Sequence, residues 1–274
     1  MSGGTLQRAY VSGRELARLA ERLSERDRAI VGQVAELRLM SARQIQAIHF
    51  PAEQRQSGEL AATRARQRAL ERLARERLLT RLERRIGGVR AGSAAFIFAL
   101  GPVGQRLLDL DGGRRRAYEP TARFVDHTLA SAQLVVDLTL AQRNGRLELL
   151  ACQPEPRCWR TFSRLGARFM LRPDLLVSLG VGEYELRWFV EIDRATESLP
   201  TVLRKCRLYL DYYQSGQEQA AHGGVFPRVC WITPDEKRAE RLHLAITNNR
   251  HFPERLFVVT HQAQAVAILL GGAP

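Results

Sequence analysis

Three carboxylates fall where a fold could gather them for chemistry: Asp174 in Arg172-Pro173-Asp174, and Glu191 and Asp193 in Phe189-Val190-Glu191-Ile192-Asp193. The run from Tyr184 to Asp193 has strand composition. Side chains alternate along a strand, so Arg187, Phe189, Glu191 and Asp193 face one side and Leu186, Trp188, Val190 and Ile192 the other. A turn at Gly180 to Glu183 folds the preceding strand back onto this one and brings Asp174 beside the other two acids. Three carboxylates at one sheet edge are ligands for Mg²⁺ or Mn²⁺. Such an ion activates water and neutralises charge on a scissile phosphate. The same spacing has a plainer reading, in which Asp174 and Asp193 form turns at strand ends and Glu191 pairs with Arg187 or Arg194.

The elements that must position these acids follow from the hydrophobic pattern of the second half. A helix from Val125 to about Gln142 precedes a strand at Leu147 to Cys152. An irregular segment with Pro154 and Pro156 leads to a strand around Phe169 to Leu179, and then to the strand ending at Asp193. A helix from about Ser198 to Gln214, a strand at Val229 to Thr233, a helix from about Pro234 to Thr247 and a strand at Leu256 to Thr260 complete the order. That succession fits an α/β sandwich with a mixed sheet.

The first half reads differently. Ser24, with Asp27 three positions on, caps a helix carrying Ile30, Val34 and Leu37. Ser41 caps a second, short helix that Pro51 stops, and a third helix runs from about Glu59 to Leu79. Strand-like runs at Leu79 to Glu83 and Ala94 to Leu100 flank the basic segment holding Arg84, Arg85 and Arg90. Three helices followed by a β-hairpin is the order of a winged helix-turn-helix domain. On the third helix, a step of about 100° per residue puts Ala62, Arg66, Ala69, Leu70 and Leu73 inward. Arg64, Arg68 and Arg75 then point outward, with Gln67 on the flank. Guanidinium and amide donors on one helix face suit phosphates and guanine edges in a major groove. Arg43 and Gln44 on the second helix, and Arg84, Arg85 and Arg90 in the wing, extend this set. The alternative is a solvated arginine face pairing with Glu71 and Glu76.

Charge favours the polyanion reading. The chain of 274 residues carries a formal net charge of +13. Residues 1–123 hold 24 arginines against 13 acidic residues, a net of +11, which leaves only +2 for the remainder. An arginine-rich composition alone does not produce that asymmetry. Cys152, Cys158, Cys206 and Cys230 form no CxxC pair and no zinc-ligand spacing, as expected of reduced thiols. No run approaches the roughly 20 apolar residues of a membrane span, so a soluble, cytoplasmic protein without membrane partners is expected.

Several of these runs also resemble a known family. Leu23-Ser24-Glu25-Arg26-Asp27-Arg28-Ala29-Ile30, Leu39-Met40-Ser41-Ala42-Arg43-Gln44-Ile45, His127-Thr128-Leu129, Arg172-Pro173-Asp174, and Val190-Glu191-Ile192-Asp193-Arg194-Ala195-Thr196-Glu197-Ser198 with Lys205 resemble the replication-relaxation family of bacterial plasmids and integrated mobile elements. Composition marks a polar leader at 1–23 and a linker at Asp111 to Arg116 with Pro120 behind it; the resemblance implies a winged-helix domain, here 24–118, fused to a restriction-endonuclease-like PD-(D/E)XK domain, here 119–274. It implies action on double-stranded plasmid DNA in replication or mobilisation, and it gives the acids Asp174, Glu191 and Asp193, with Lys205, the expected role of a metal-dependent strand-cleavage site. In that pattern a lysine stands two positions after the glutamate. Here the position is Asp193, and Lys205 replaces it from the next helix or is an ordinary helix-surface residue. His127 caps or packs its helix, or hydrogen-bonds into the site. Partners compatible with this reading are a second copy of the chain and plasmid replication or conjugation proteins. The rival reading is a non-enzymatic replication initiator or transcriptional regulator whose second domain is a decayed nuclease fold.

Overall fold

Serine begins each of the first three helices. Helices α1 (Gly13–Arg22), α2 (Glu25–Leu37) and α3 (Ala42–His49) start behind Ser12, Ser24 and Ser41. In each, the serine side chain accepts from the N3 backbone N–H while the N3 side chain accepts from the serine's own N–H. The N3 residue of α3 is Gln44, and this corrects one expectation. Gln44 turns inward and is not an exposed contact residue, because its Oε1 accepts from Ser41 N at 2.9 Å and the residue is only 6% exposed.

The computed structural model describes residues 11–51, 56–82, 96–108, 120–164 and 166–272. The chain divides into two units, residues 1–128 and 129–274. In the first, α3 is followed by α4 (Gln56–Arg75), β2 (Leu79–Leu82), β3 (Ile97–Leu100) and α5 (Pro102–Leu107), while β1 (Leu39–Ser41) links α2 to α3. Among the described residues β1, β2 and β3 form an antiparallel sheet in the order β1-β3-β2. The hairpin was expected from the sequence; β1 was not, since three residues are too few for a period-2 signal.

Ile30, Val31, Val34, Ile45, Leu73, Leu78 and Leu79 form the buried core of this unit. Asp27, besides capping α2, accepts from Arg72 at 2.7 and 2.8 Å and ties α2 to α4. Glycine is required where α5 begins: a Cβ on Gly101 would lie 2.2 Å from the Arg77 carbonyl oxygen, and one on Gly104 would lie 2.3 Å from that of Leu78.

Helix α6 (Ala122–Arg143) leads into the second unit, followed by β4 (Glu148–Pro154), β5 (Arg160–Arg164), β6 (Ala167–Leu171), β7 (Leu175–Val181), β8 (Tyr184–Ile192), α7 (Leu199–Ser215), α8 (Gln217–Ala221), β9 (Arg228–Thr233), α9 (Glu236–Thr247), β10 (Phe257–His261) and α10 (Ala265–Leu269). Among the described residues five strands form a mixed sheet in the order β10-β9-β8-β7-β4. Strands β8, β9 and β10 are parallel, and β7 and β4 are antiparallel to their neighbours. The fold is therefore α/β with a mixed sheet.

One expected strand divides. The run from Phe169 to Leu179 breaks at Arg172-Pro173-Asp174 into β6 and β7, because proline supplies no ladder donor. Strand β6 pairs instead with β5, formed from the segment read as irregular. On one sheet face Leu176, Phe189, Val229, Trp231 and Val259 pack with Val202, Cys206, Tyr209 and Tyr212 of α7 and with Ala239, Leu242 and Ile246 of α9. On the other, Trp188 Nε1 donates to the Leu269 carbonyl at 3.0 Å, and Ile192 and Ile232 line a cleft with Leu134 and Asp137 of α6.

Candidate functional site

Strand alternation places the acids as the sequence indicates, and the helices then divide them. Leu175 of β7 pairs with Val190 of β8, which sets Asp174 at the mouth of that ladder. Its backbone N–H donates to the Val190 carbonyl at 3.1 Å, and its Oδ2 accepts from Ile192 N at 2.7 Å. Glu191 points to the α7 face and is 2% exposed. There its Oε2 meets the Lys205 ammonium in close contact, and its Oε1 accepts from the Tyr209 hydroxyl at 2.5 Å. Lys205 and Tyr209 stand one turn apart on α7, so a single helix face supplies both partners.

Asp193 lies one residue past the end of β8 and does not join the group. Its Oδ2 accepts from Arg238 Nε of α9 at 2.6 Å, and its Oδ1 accepts from Ala195 N at 3.0 Å. The same guanidinium donates from Nη2 to the Glu197 carbonyl at 2.8 Å. Arg238 thus clamps both ends of the β8–α7 loop, in which Ala195 holds a positive φ of 56°. Asp193 is thus held by Arg238, apart from the Glu191–Lys205 contact. Among the described residues no group of three or more acids, histidines and cysteines is arranged to hold a metal. The plainer reading of Glu191 is corrected: Arg187 goes to Glu185 and Glu218, and Glu191 goes to Lys205.

The electrostatics follow from this dry setting. Burial pushes the Glu191 carboxyl up to about 8; the Lys205 ammonium pulls it down, and the charge of Asp174 raises it further. Burial works against the Lys205 ammonium, yet Glu191 and Asp174 together hold it above its ordinary value. Burial and the Glu191 charge raise the Tyr209 hydroxyl well above its usual range, so it remains a donor. The buried thiols of Cys158 and Cys206 are pushed up to about 12, chiefly by burial, and Cys158 Sγ donates to the Pro173 carbonyl at 3.0 Å. Asp174, Glu191 and Lys205 form a cluster of two carboxylates and one ammonium, able to neutralise a cation or an oxyanion.

Tyr209 and Arg238 escaped the sequence reading. The spacing of four residues from Lys205 could have indicated Tyr209. Nothing in the sequence marks Arg238, whose partner lies 45 residues away. His127 sits within α6.

In the first unit Arg43, Arg64, Gln67, Arg68 and Arg75 are exposed. Arg66 is half-buried and donates to Gln46 Oε1 at 2.7 Å; burial and the neighbouring charge of Arg43 lower its pKa. Glu76, just past the end of α4, pairs with Arg22 at 3.3 Å, so it is not reserved for the arginines of that helix. Arg84, Arg85 and Arg90 lie outside the described residues. Among the described residues no helix is long and apolar enough to cross a membrane.

A family model described as Replication-relaxation matches residues 32–229. No curated protein and no solved structure matches the chain.

Proposed function

The chain belongs to the replication-relaxation family, and from that premise we propose that it binds double-stranded DNA of a plasmid or integrated mobile element and cuts it with metal help during replication or mobilisation. The first unit is the docking module. Its order α2-β1-α3-α4-β2-β3 and strand order β1-β3-β2 agree with a winged helix. In that reading α4 presents Arg64, Gln67, Arg68 and Arg75 to the major groove, Arg43 meets phosphate, and Arg84, Arg85 and Arg90 serve the wing.

The cleavage reading rests on one observation above the others. Lys205, fourteen residues from Glu191 in sequence, meets its carboxylate in a buried site beside Asp174. In the PD-(D/E)XK reading, Glu191 is the motif's acid and Lys205 is its lysine, supplied from α7. Carboxylate oxygens are the hard donors that Mg²⁺ or Mn²⁺ takes, and Mg²⁺ is commonly held by one or two carboxylates with water and substrate phosphate. Asp174 and Glu191 meet that requirement without Asp193. A bound divalent ion there supplies Lewis acidity and an activated water. Lys205 neutralises charge building on the phosphoryl oxygens, and Tyr209 fixes the Glu191 carboxylate in place.

A second reading has an observation of its own. Both Glu191 oxygens already have partners and Asp193 is neutralised by Arg238, which suits a non-enzymatic initiator or regulator with a decayed nuclease fold. Incubation with supercoiled plasmid carrying the element's own origin separates the two. Cleavage predicts nicking with Mn²⁺ or Mg²⁺, abolished by chelator and by Glu191→Ala, strongly slowed by Lys205→Ala, with duplex affinity unchanged. Absence of both nicking and calorimetric Mn²⁺ binding would establish the non-enzymatic reading.

A further inference from the structure

We propose that the outer face of the β5–β6 arm is a second phosphate-binding surface for duplex DNA, lying on the unit that holds Asp174, Glu191 and Lys205. The inference rests on the DNA-binding reading and deepens it.

The arm is anchored by its inner face. Phe162 and Leu171 are buried, Phe162 stacks on Phe169 with centroids 5.5 Å apart, and it meets Tyr212 of α7 at 5.1 Å. Thr161, Ser163, Arg168 and Met170 consequently point outward, and Arg172 continues their exposed side just past the strand. The arm's cations fall into two groups. Arg160 pairs with Glu218 at 2.9 Å and Arg164 pairs with Asp211, both partners lying on the α7–α8 segment. Arg168 and Arg172 have no carboxylate partner among the described residues.

Arg172 is held in place by another means. Its guanidinium lies 4.9 Å from the Trp159 ring centroid, and the Trp159 side chain itself packs against the core. Stacking fixes the guanidinium plane, Nε donates to Met170 Sδ at 3.3 Å, and the Nη donors are left for an anion. Arg168 and Arg172, four residues apart in extended chain, lie roughly 13 Å apart, a separation that reaches separate phosphates along one backbone. The exposed hydroxyls of Thr161 and Ser163 add donors of the kind found on phosphate oxygens. Arg172 is two residues from Asp174, and Cys158, next to Trp159, donates to the Pro173 carbonyl. The arm therefore ends where the acidic cluster begins.

Tryptophan reports on this surface directly. The chain has three tryptophans; Trp188 and Trp231 are buried, while Trp159 is half-buried. All three lie in the second unit. The full chain is titrated with a mixed-sequence duplex while tryptophan emission is followed, and in parallel with the labelled duplex by anisotropy over a salt series. The expected result is an emission change that saturates with the anisotropy and disappears in Trp159→Phe. Arg168→Ala with Arg172→Ala should reduce the slope of log affinity against log salt by about 2, with thermal unfolding unchanged. Constant emission through saturating DNA, together with an unaltered slope in that double variant, overturns the proposal. If Arg64→Ala with Arg68→Ala still weakens binding in that case, the DNA reading stands and only the arm is excluded. Absence of any anisotropy change in the wild type removes the DNA reading itself.

Discussion

Glu191 near the end of β8 and Asp193 just past it sit two positions apart, and their fates differ because each meets a different helix. Glu191 is held by Lys205 and Tyr209, so its proton affinity is set by burial against one nearby ammonium. A carboxyl raised from about 4.5 to about 8 binds a proton in the folded state that the unfolded chain has lost. The stability contributed is fully present below the unfolded value and declines as pH rises through the folded one. In chelator, the stability of the wild type relative to Glu191→Gln should therefore fall between about pH 5 and 8, by on the order of a few kcal/mol. Urea denaturation at a series of pH values checks this; a difference independent of pH contradicts it. Asp193 has a structural role. Asp193→Ala leaves Arg238 buried without its counter-charge, so a loss of about 3–5 kcal/mol is expected. Arg238→Met with Asp193→Leu should recover much of it, and a double-mutant cycle measures the coupling.

Among the elements, α5 and α7 show how local geometry positions function. The first turn of α5 lies against the corner between α4 and β2, where Gly101 and Gly104 face backbone carbonyls with no room for a Cβ. Gly104→Ala would place a carbon 2.3 Å from the Leu78 oxygen and 2.7 Å from Leu100 Cδ1. Either the strand or the helix must move, at a cost of about 1–3 kcal/mol or more. Circular dichroism during denaturation should show an earlier transition, and an unshifted curve would mean that α5 yields freely. Helix α7 is started by Ser198, whose side chain accepts from Thr201 N, at the end of the loop that Arg238 clamps. The phase of α7, and so the aim of Lys205 and Tyr209, is set by that cap together with the burial of Val202, Cys206 and Tyr212.

Across the whole chain the division of charge is the governing fact. With a net of +11 in residues 1–123, the first unit should dominate encounter with a polyanion and should respond steeply to salt. If about five of its arginines neutralise phosphates, they contribute a slope near −4 to −5 in log affinity against log salt. Replacing Arg64 and Arg68 together by Ala should weaken duplex binding by roughly 2–5 kcal/mol, according to how many of their contacts reach bases. Full affinity in that variant, measured by gel shift, would place the interface elsewhere.

Periodicity and capping made much of this protein legible before its tertiary structure. Ser24 with Asp27 and Ser41 with Gln44 begin helices where the residues indicate, and alternation along Tyr184 to Ile192 assigns Glu191 and Asp193 to one face, because caps and strand pleats are local and repeat over a few residues. The sequence marks Gln44 as a contact residue, yet at N3 its side chain closes the capping box and one side chain cannot serve both. Length hid β1, and Pro173 divided a run that hydrophobicity alone would join. The site itself depended on contacts the chain makes only when folded. Lys205 reaches Glu191 across 14 residues and Arg238 reaches Asp193 across 45. Whether three acids form one cluster, or Asp174 and Glu191 stay with Lys205 while Asp193 goes to Arg238, is decided by which helix packs over which strand end, and no spacing within either segment encodes that.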